Sequence, residues 1–269
     1  MKIVQRILIT IAITFAVIFV GVYWVGPVAL SFYAARKALP VARVVPADLK
    51  DQSVSQAPGM RLSHVGYNYE VPWNDLDESK TAFYPKDKPE KTRVVLSFRS
   101  GLRLMVSTIP PREFANEFAT DFKMPPQKFE ALFGRGTSKS DYDVVKNVYE
   151  FTPSKMHYWS LSPGVHYREQ IMLLLKSIMP SKPADTGIFN IRNESYRGFQ
   201  QGNLDIDRSG AIVTLYASDG GIEFVFAAGH YKNPGGLSQP EINRIIQTLH
   251  KTPAGESSKP QAAAWKQRP

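Results

Sequence analysis

Apolar residues follow three patterns along this chain: an unbroken run, a period of two, and a period near four. The unbroken run comes first, since from Ile7 to Leu30 no residue is charged and most are Ile, Val, Leu, Phe or Ala. At about 1.5 Å per residue a helix of this length reaches about 36 Å, more than the roughly 30 Å hydrocarbon core of a bilayer. Tyr23 and Trp24 near its far end suit the headgroup level, and Gly26 and Pro27 follow them. The pattern predicts a transmembrane signal anchor over residues 7–30 behind a short leader, residues 1–6. A cleaved secretory signal is the alternative, because Lys2 and Arg6 form a basic start and Ala29 and Ser31 fit a small-x-small cleavage rule. The apolar stretch is longer than the ~7–15 residues such signals carry.

Residues 31–60 hold Pro40, Pro46, Pro58 and Gly59 with no sustained period, and they read as a juxtamembrane linker. A strand follows over Val65–Val71, stopped by Pro72 and Trp73. Val94, Leu96 and Phe98 then alternate on one arm of a hairpin, and Leu102, Leu104 and Val106 on the other, around Ser100 and Gly101. After Pro111 the period lengthens. Phe114, Phe118 and Phe122 recur every four positions, an apolar stripe on a short helix. Phe129, Leu132 and Phe133 predict a second helix ended by Gly134, and Tyr142, Val145, Val148 and Tyr149 a third. Ser162 and Pro163 start a fourth that runs through Met179, and its run Ile171–Leu175 is apolar nearly all round, which predicts the most buried helix.

Strands return over 187–191, 196–206, 211–217 and 222–228, the last two joined at Asp219-Gly220. Ser238 and Glu241 form a capping box ahead of Ile242, Ile245, Ile246 and Leu249 at helical spacing. These elements predict one α+β domain over residues 61–251, an antiparallel sheet packed against helices, preceded by one N-terminal transmembrane helix. Residues 252–269, with Pro253, Gly255, Ser257, Ser258 and Pro260, read as a disordered tail.

The net charge of +9 suggests a nucleic-acid partner until it is divided along the chain. Residues 1–50 carry six Lys/Arg and one Asp, and residues 251–269 four Lys/Arg and one Glu. Between them stand 23 Lys/Arg against 22 Asp/Glu, so the folded part is nearly neutral and no nucleic-acid partner is expected. The basic excess beside the anchor suits anionic headgroups. Lys2 and Arg6 precede the anchor while Arg36, Lys37, Arg43 and Lys50 follow it, so the positive-inside rule does not decide the topology. A short leader that stays inside while the domain is exported is the simpler arrangement. The absence of cysteine removes disulfides, thiol catalysis and thiolate metal sites.

Candidate chemistry is sparse. Asp205, Asp207, Ser209 and Gly210 start like a calcium loop, but Tyr216 stands where a bidentate Glu is needed, and a polar strand end with a tight turn is the better reading. Histidines 64, 157, 166, 230 and 250 lack metal-ligand spacing. No G-x-S-x-G elbow is present, although a triad is defined by geometry and stays open. Gly134 to Ser138 reads as a helix-to-helix loop, lacking the Gly-Lys of a phosphate loop. Asn193-Glu194-Ser195 fits a glycosylation triplet. The sequence thus points to no catalytic residue, metal or cofactor. Met156, His157, Tyr158 and Trp159 are the candidate binding residues, because aromatics and Met are enriched at interface hot spots.

The stretch from Tyr196-Arg197-Gly198 through Val213-Thr214-Leu215-Tyr216 and Ile222-Glu223-Phe224-Val225-Phe226 to Leu249 resembles the Mog1/PsbP-like fold group. The strand from Gly66-Tyr67 to Pro72-Trp73 resembles that group's opening strand. The resemblance implies an antiparallel sheet between helices and a non-enzymatic role in assembling or stabilising a larger complex. The expectation is therefore a membrane-anchored extracytoplasmic interaction or assembly module that binds an envelope protein or an apolar ligand. An anchored hydrolase with an unrecognised site is the alternative, and a purely structural envelope protein a third reading.

Overall fold

A computed structural model of the chain describes residues 43–88, 90–152, 167–179, 187–229 and 236–252. Its elements run β1 (Ala47–Asp48), β2 (Met60–His64), β3 (Tyr67–Val71), β4 (Ala82–Tyr84), β5 (Arg93–Ser97) and β6 (Leu102–Ile109). Four helices follow, α1 (Glu113–Asp121), α2 (Pro126–Phe133), α3 (Asp141–Glu150) and α4 (Tyr167–Ile178). The chain continues as β7 (Ile188–Arg192), β8 (Arg197–Gln201), β9 (Gly210–Ala217), β10 (Gly220–Ala228), α5 (Gln239–Thr248) and β11 (His250–Lys251). The fold is mixed α+β. Among the described residues no helix is long and apolar enough to cross a membrane, and residues 7–30 lie outside that set. The described residues divide into two compact units, one from Ala47–Glu113 with Ile188 onward, the other from residues 43–46 with Phe114–Gly187.

In the sheet unit, eight strands run in the order β1-β7-β8-β9-β10-β6-β5-β4, and β11-β3-β2 form a second, three-stranded sheet. All pairs are antiparallel except β1 with β7. The alternation read from the sequence sets the register: Val94 faces Val106 and Leu96 faces Leu104, so one sheet face carries the apolar set. Ser218 and Asp219 form the loop of the β9–β10 hairpin, and Gly220 supplies the positive φ of 121°. Val213, Leu215, Phe224 and Phe226 extend the buried face, and Tyr69 and Val71 of β3 with Ile242, Ile245 and Ile246 of α5 complete the core. Tyr69 meets Phe224 edge-on at 5.5 Å and Trp73 meets Phe98 at 5.1 Å. Each fully buried side chain of this size contributes about 1.5–3 kcal/mol.

The capping box places α5 on this core. Glu241 Oε2 accepts from Ser238 N and Oγ at 2.9 and 2.8 Å, and Trp73 Nε1 donates to Glu241 Oε1 at 2.9 Å. One carboxylate thus fixes both the helix start and the end of β3. Beside it, Gln200 and Gln239 exchange two hydrogen bonds, Gln239 donates to Asn243 at 3.0 Å, and all three residues are buried. Asn243 Nδ2 then donates to the carbonyls of Asp51 and Ser53 at 3.0 and 2.8 Å. Arg244 donates to Ser55 O and Ala57 O, and Ser55 N to Pro240 O. Residues 47–57, which lack any period in the sequence, are therefore fastened to the sheet unit by side chains holding their main chain.

Two strands differ from their predicted limits for backbone reasons. Val65 and Gly66 take φ of 49° and 82°, so the predicted strand start is a turn, and β2 and β3 form a hairpin around it. Gly202 takes φ of 106° and ends β8 at Gln201.

In the helical unit, α2 buries Phe129, Leu132 and Phe133 and ends at Gly134, where φ is 121°. Ser140 caps α3 by accepting from Asp143 N at 3.2 Å. The C-terminal carbonyls are covered by side chains. Asn147 donates to Phe133 O and Arg168 Nε to Leu132 O, each at 2.7 Å. Lys176, fully buried, donates to Tyr149 O and Phe151 O at 2.7 and 2.5 Å, a cation at the negative end of α3. Helix α4 is not the most buried helix among the described residues: of its apolar run Met172 and Leu173 are buried, but Leu174 is 59% exposed, whereas α3 buries Asp141, Val144, Val145, Val148 and Tyr149.

Candidate functional site

The predicted binding run Met156-His157-Tyr158-Trp159 lies outside the described residues. Among those described, the helical unit offers a different surface. Helix α1 starts after Pro110-Pro111, and Phe114 N donates to Asp141 Oδ1, in the first turn of α3, at 3.2 Å. The helix ends where Lys123 turns to φ of 49° and Met124 N bonds to Phe118 O at 3.1 Å. None of its residues is buried.

The stripe Phe114-Phe118-Phe122 is thus only half covered. Phe118 packs edge-on against Phe129 and Phe133 of α2, with ring centroids at 5.6 and 5.2 Å. Phe122 lies 5.1 Å from Phe118 and is 68% exposed. Glu113, Glu117 and Asp121 form a second ridge at the same four-residue spacing, and α1 contains no basic residue. Glu117 and Asp121 are exposed and form no ion pair among the described residues. Phe122 is thus the exposed end of a stripe whose middle ring is packed within the unit, and the exposed carboxylates of Glu117 and Asp121 lie on the same helix. The sequence showed the Phe spacing as an apolar stripe on a short helix; which of its rings is exposed was the missing information.

In the sheet unit, His64 and Glu223 are both shifted mainly by burial. His64 Nδ1 lies 3.1 Å from the Tyr69 hydroxyl, and its ring lies 5.8 Å from that of Phe83. Burial lowers its pKa to about 4 and raises that of Tyr69. Glu223, on the sheet face away from the core, has its pKa raised by desolvation, an effect opposed by the charge of Arg93. Arg93 and Ser107 lie in its cross-strand row, and Arg93 Nε donates to Ser107 Oγ at 3.0 Å. Nothing in the sequence marked Glu223 except its place in the alternation.

A buried His hydrogen-bonded to both a Ser and a carboxylate would favour a hydrolase. His64 meets Tyr69, and His250 Nδ1 meets the Thr248 carbonyl at 2.9 Å; the other three histidines lie outside the described residues. No group of three metal-binding side chains occurs among the described residues. Near the calcium-like stretch, Asp207 Oδ1 accepts from Ser209 N at 2.8 Å and Asn203 Oδ1 from Asp205 N at 3.0 Å, closing local turns. Asn193 of the glycosylation triplet has a full internal role: Nδ2 donates to Ile246 O and Leu249 O, and Oδ1 accepts from Ser195 N and Tyr196 N. Its amide clamps the end of α5. No family model matches the chain, and no curated protein or solved structure matches it.

Proposed function

We propose that this chain is a membrane-anchored extracytoplasmic interaction or assembly module without catalytic activity. It binds a protein of the cell envelope or an apolar ligand. Residues 7–30 hold it in the lipid bilayer as one N-terminal transmembrane helix ahead of the α+β part. The observation that carries the interaction reading is helix α1, whose Phe stripe ends in a 68% exposed Phe122 while the helix buries no residue. Exposed aromatic residues of this kind supply the anchors of protein interfaces. Met156, His157, Tyr158 and Trp159 belong to the same proposal as a second candidate surface. The resemblance of the chain from Tyr196 to Leu249 to the Mog1/PsbP-like fold group supports an accessory role.

The fastened segment bears on reach. Ala47 is paired into the sheet through β1, so residues 31–46 span the interval from the anchor. Fully extended, they cover at most about 56 Å. The partner is therefore sought at or near the bilayer surface. Photo-crosslinking in cells tests the reading, with a photoreactive residue at 122 and a control at exposed Ile206. Adducts to envelope components at 122 in excess of the control are expected, and no excess would defeat the proposal.

A further inference from the structure

We infer that the face of α5 that grips residues 51–57 is a binding groove for an extended peptide segment, and that the same residues of a second copy are its ligand in trans. In the resting chain the groove is filled from within. Asn243 Nδ2 donates its two hydrogens to Asp51 O and Ser53 O, and Arg244 donates to Ser55 O and Ala57 O. Four alternate carbonyls thus meet two consecutive residues of one helix, and a spacing of two is the period of extended chain. One bond runs the other way, from Ser55 N to Pro240 O at 3.0 Å. Each of these contacts uses the main chain of the segment, and none reads its sequence.

The polar side chains of the segment close on the segment itself. Asp51 Oδ1 accepts from Ser53 N and Oγ at 2.9 and 2.6 Å, Ser55 Oγ accepts from Ala57 N at 3.3 Å, and Gln56 Nε2 donates to Val54 O at 3.2 Å. No residue from 51 to 57 is buried. The groups beneath it are: Asn243 is buried, and its Oδ1 accepts from Gln239, which is itself buried and bonded to Gln200. Leaving therefore exposes little apolar surface of the segment, whereas an empty groove strands the Asn243 amide without an acceptor. Replacement by another extended segment avoids that penalty. A second copy offers the identical segment, so exchange conserves every bond and the cost is that of association. Copies confined to one membrane by residues 7–30 meet at high local concentration. This offsets the effective concentration, on the order of millimolar, of the segment in its own chain. The groove lies within the sheet unit and is independent of α1; only the crowding of copies rests on the anchor.

The test uses the full chain in detergent micelles and a dye-labelled synthetic peptide of residues 47–59. Ser55→Pro removes the N–H that donates to Pro240 O, which loosens the chain's own segment and leaves the groove intact. The peptide should bind this variant about tenfold more tightly than the wild type, and Arg244→Ala added to it should lower binding about tenfold. In the wild type, which needs no variant to fold, the Ser55 amide should exchange through local opening about a hundredfold faster than the paired amides of β9 and β10. Wild-type chains bearing two different tags should copurify, and excess peptide should separate them. No peptide binding to Ser55→Pro, binding indifferent to Arg244→Ala, or a Ser55 amide that exchanges only with the core overturns the groove. Peptide binding by chains that do not copurify overturns the second copy as its occupant. Binding is read without a membrane, so a released domain that binds the peptide supports the groove while contradicting the anchor.

Discussion

Lowering the pH should destabilise the sheet unit through His64. Its neutral ring is half-buried against Tyr69 and Phe83, and no carboxylate pairs with it among the described residues, so burial holds its pKa at about 4 against 6.5 in an exposed setting. The unfolded chain therefore binds a proton that the folded one refuses. A depressed His pKa gives stability that is complete above the unfolded value and is lost as pH falls toward the folded one. Linkage between about pH 7.5 and about pH 5 gives a loss of about 2 kcal/mol, approaching a limit of roughly 3 kcal/mol below pH 4. The comparison is wild type against His64→Gln, whose amide does not titrate, by urea unfolding of a variant in which Trp73 is the only tryptophan left of four. The difference between the two proteins should shift by about 2 kcal/mol against the wild type across that interval. A difference that stays constant with pH would refute the argument that desolvation controls this ring.

Other expectations follow from the same reading. Asn193→Ala should cost about 2–3 kcal/mol by removing the amide that serves both Ile246 O and Leu249 O, and hydrogen exchange should rise first in the last turn of α5. Gly198→Ala should destabilise by more than about 3 kcal/mol or prevent folding, since a Cβ there would lie 1.8 Å from Thr214 O; circular dichroism melting reads this. Glu223→Gln should stabilise the protein above the ordinary carboxylate range, because a raised carboxyl pKa means that stability falls as pH rises through the folded value. That advantage should vanish in acid, and a gain independent of pH would contradict it. Phe122→Ser should change stability by less than about 0.5 kcal/mol while lowering crosslinking from neighbouring positions on α1.

What was legible in the sequence was local. Ser238 and Glu241 announced α5, Gly134 the end of α2, and the alternation through Val94 and Leu104 the register of β5 and β6. These signals depend on neighbours a few residues away. The fastening of residues 47–57 was not legible, because its partners, Asn243 and Arg244, lie nearly two hundred positions away and grip only main-chain carbonyls. Lys176 gave no sign of burial, since its reason is the end of another helix. The Phe stripe of α1 was found by its period, but period alone does not show that Phe118 packs on α2 while Phe122 stays exposed.

The measurement that tests the central claim most directly is protease access. Cells expressing the chain with a C-terminal tag are fractionated, and intact cells or spheroplasts are treated with protease before the product mass is read. The account predicts a full-length product in the membrane whose folded part is digested from outside. A shortened soluble product would mean cleavage near Ser31 and a released domain, and a membrane-bound domain protected from outside would place it in the cytoplasm and contradict the account.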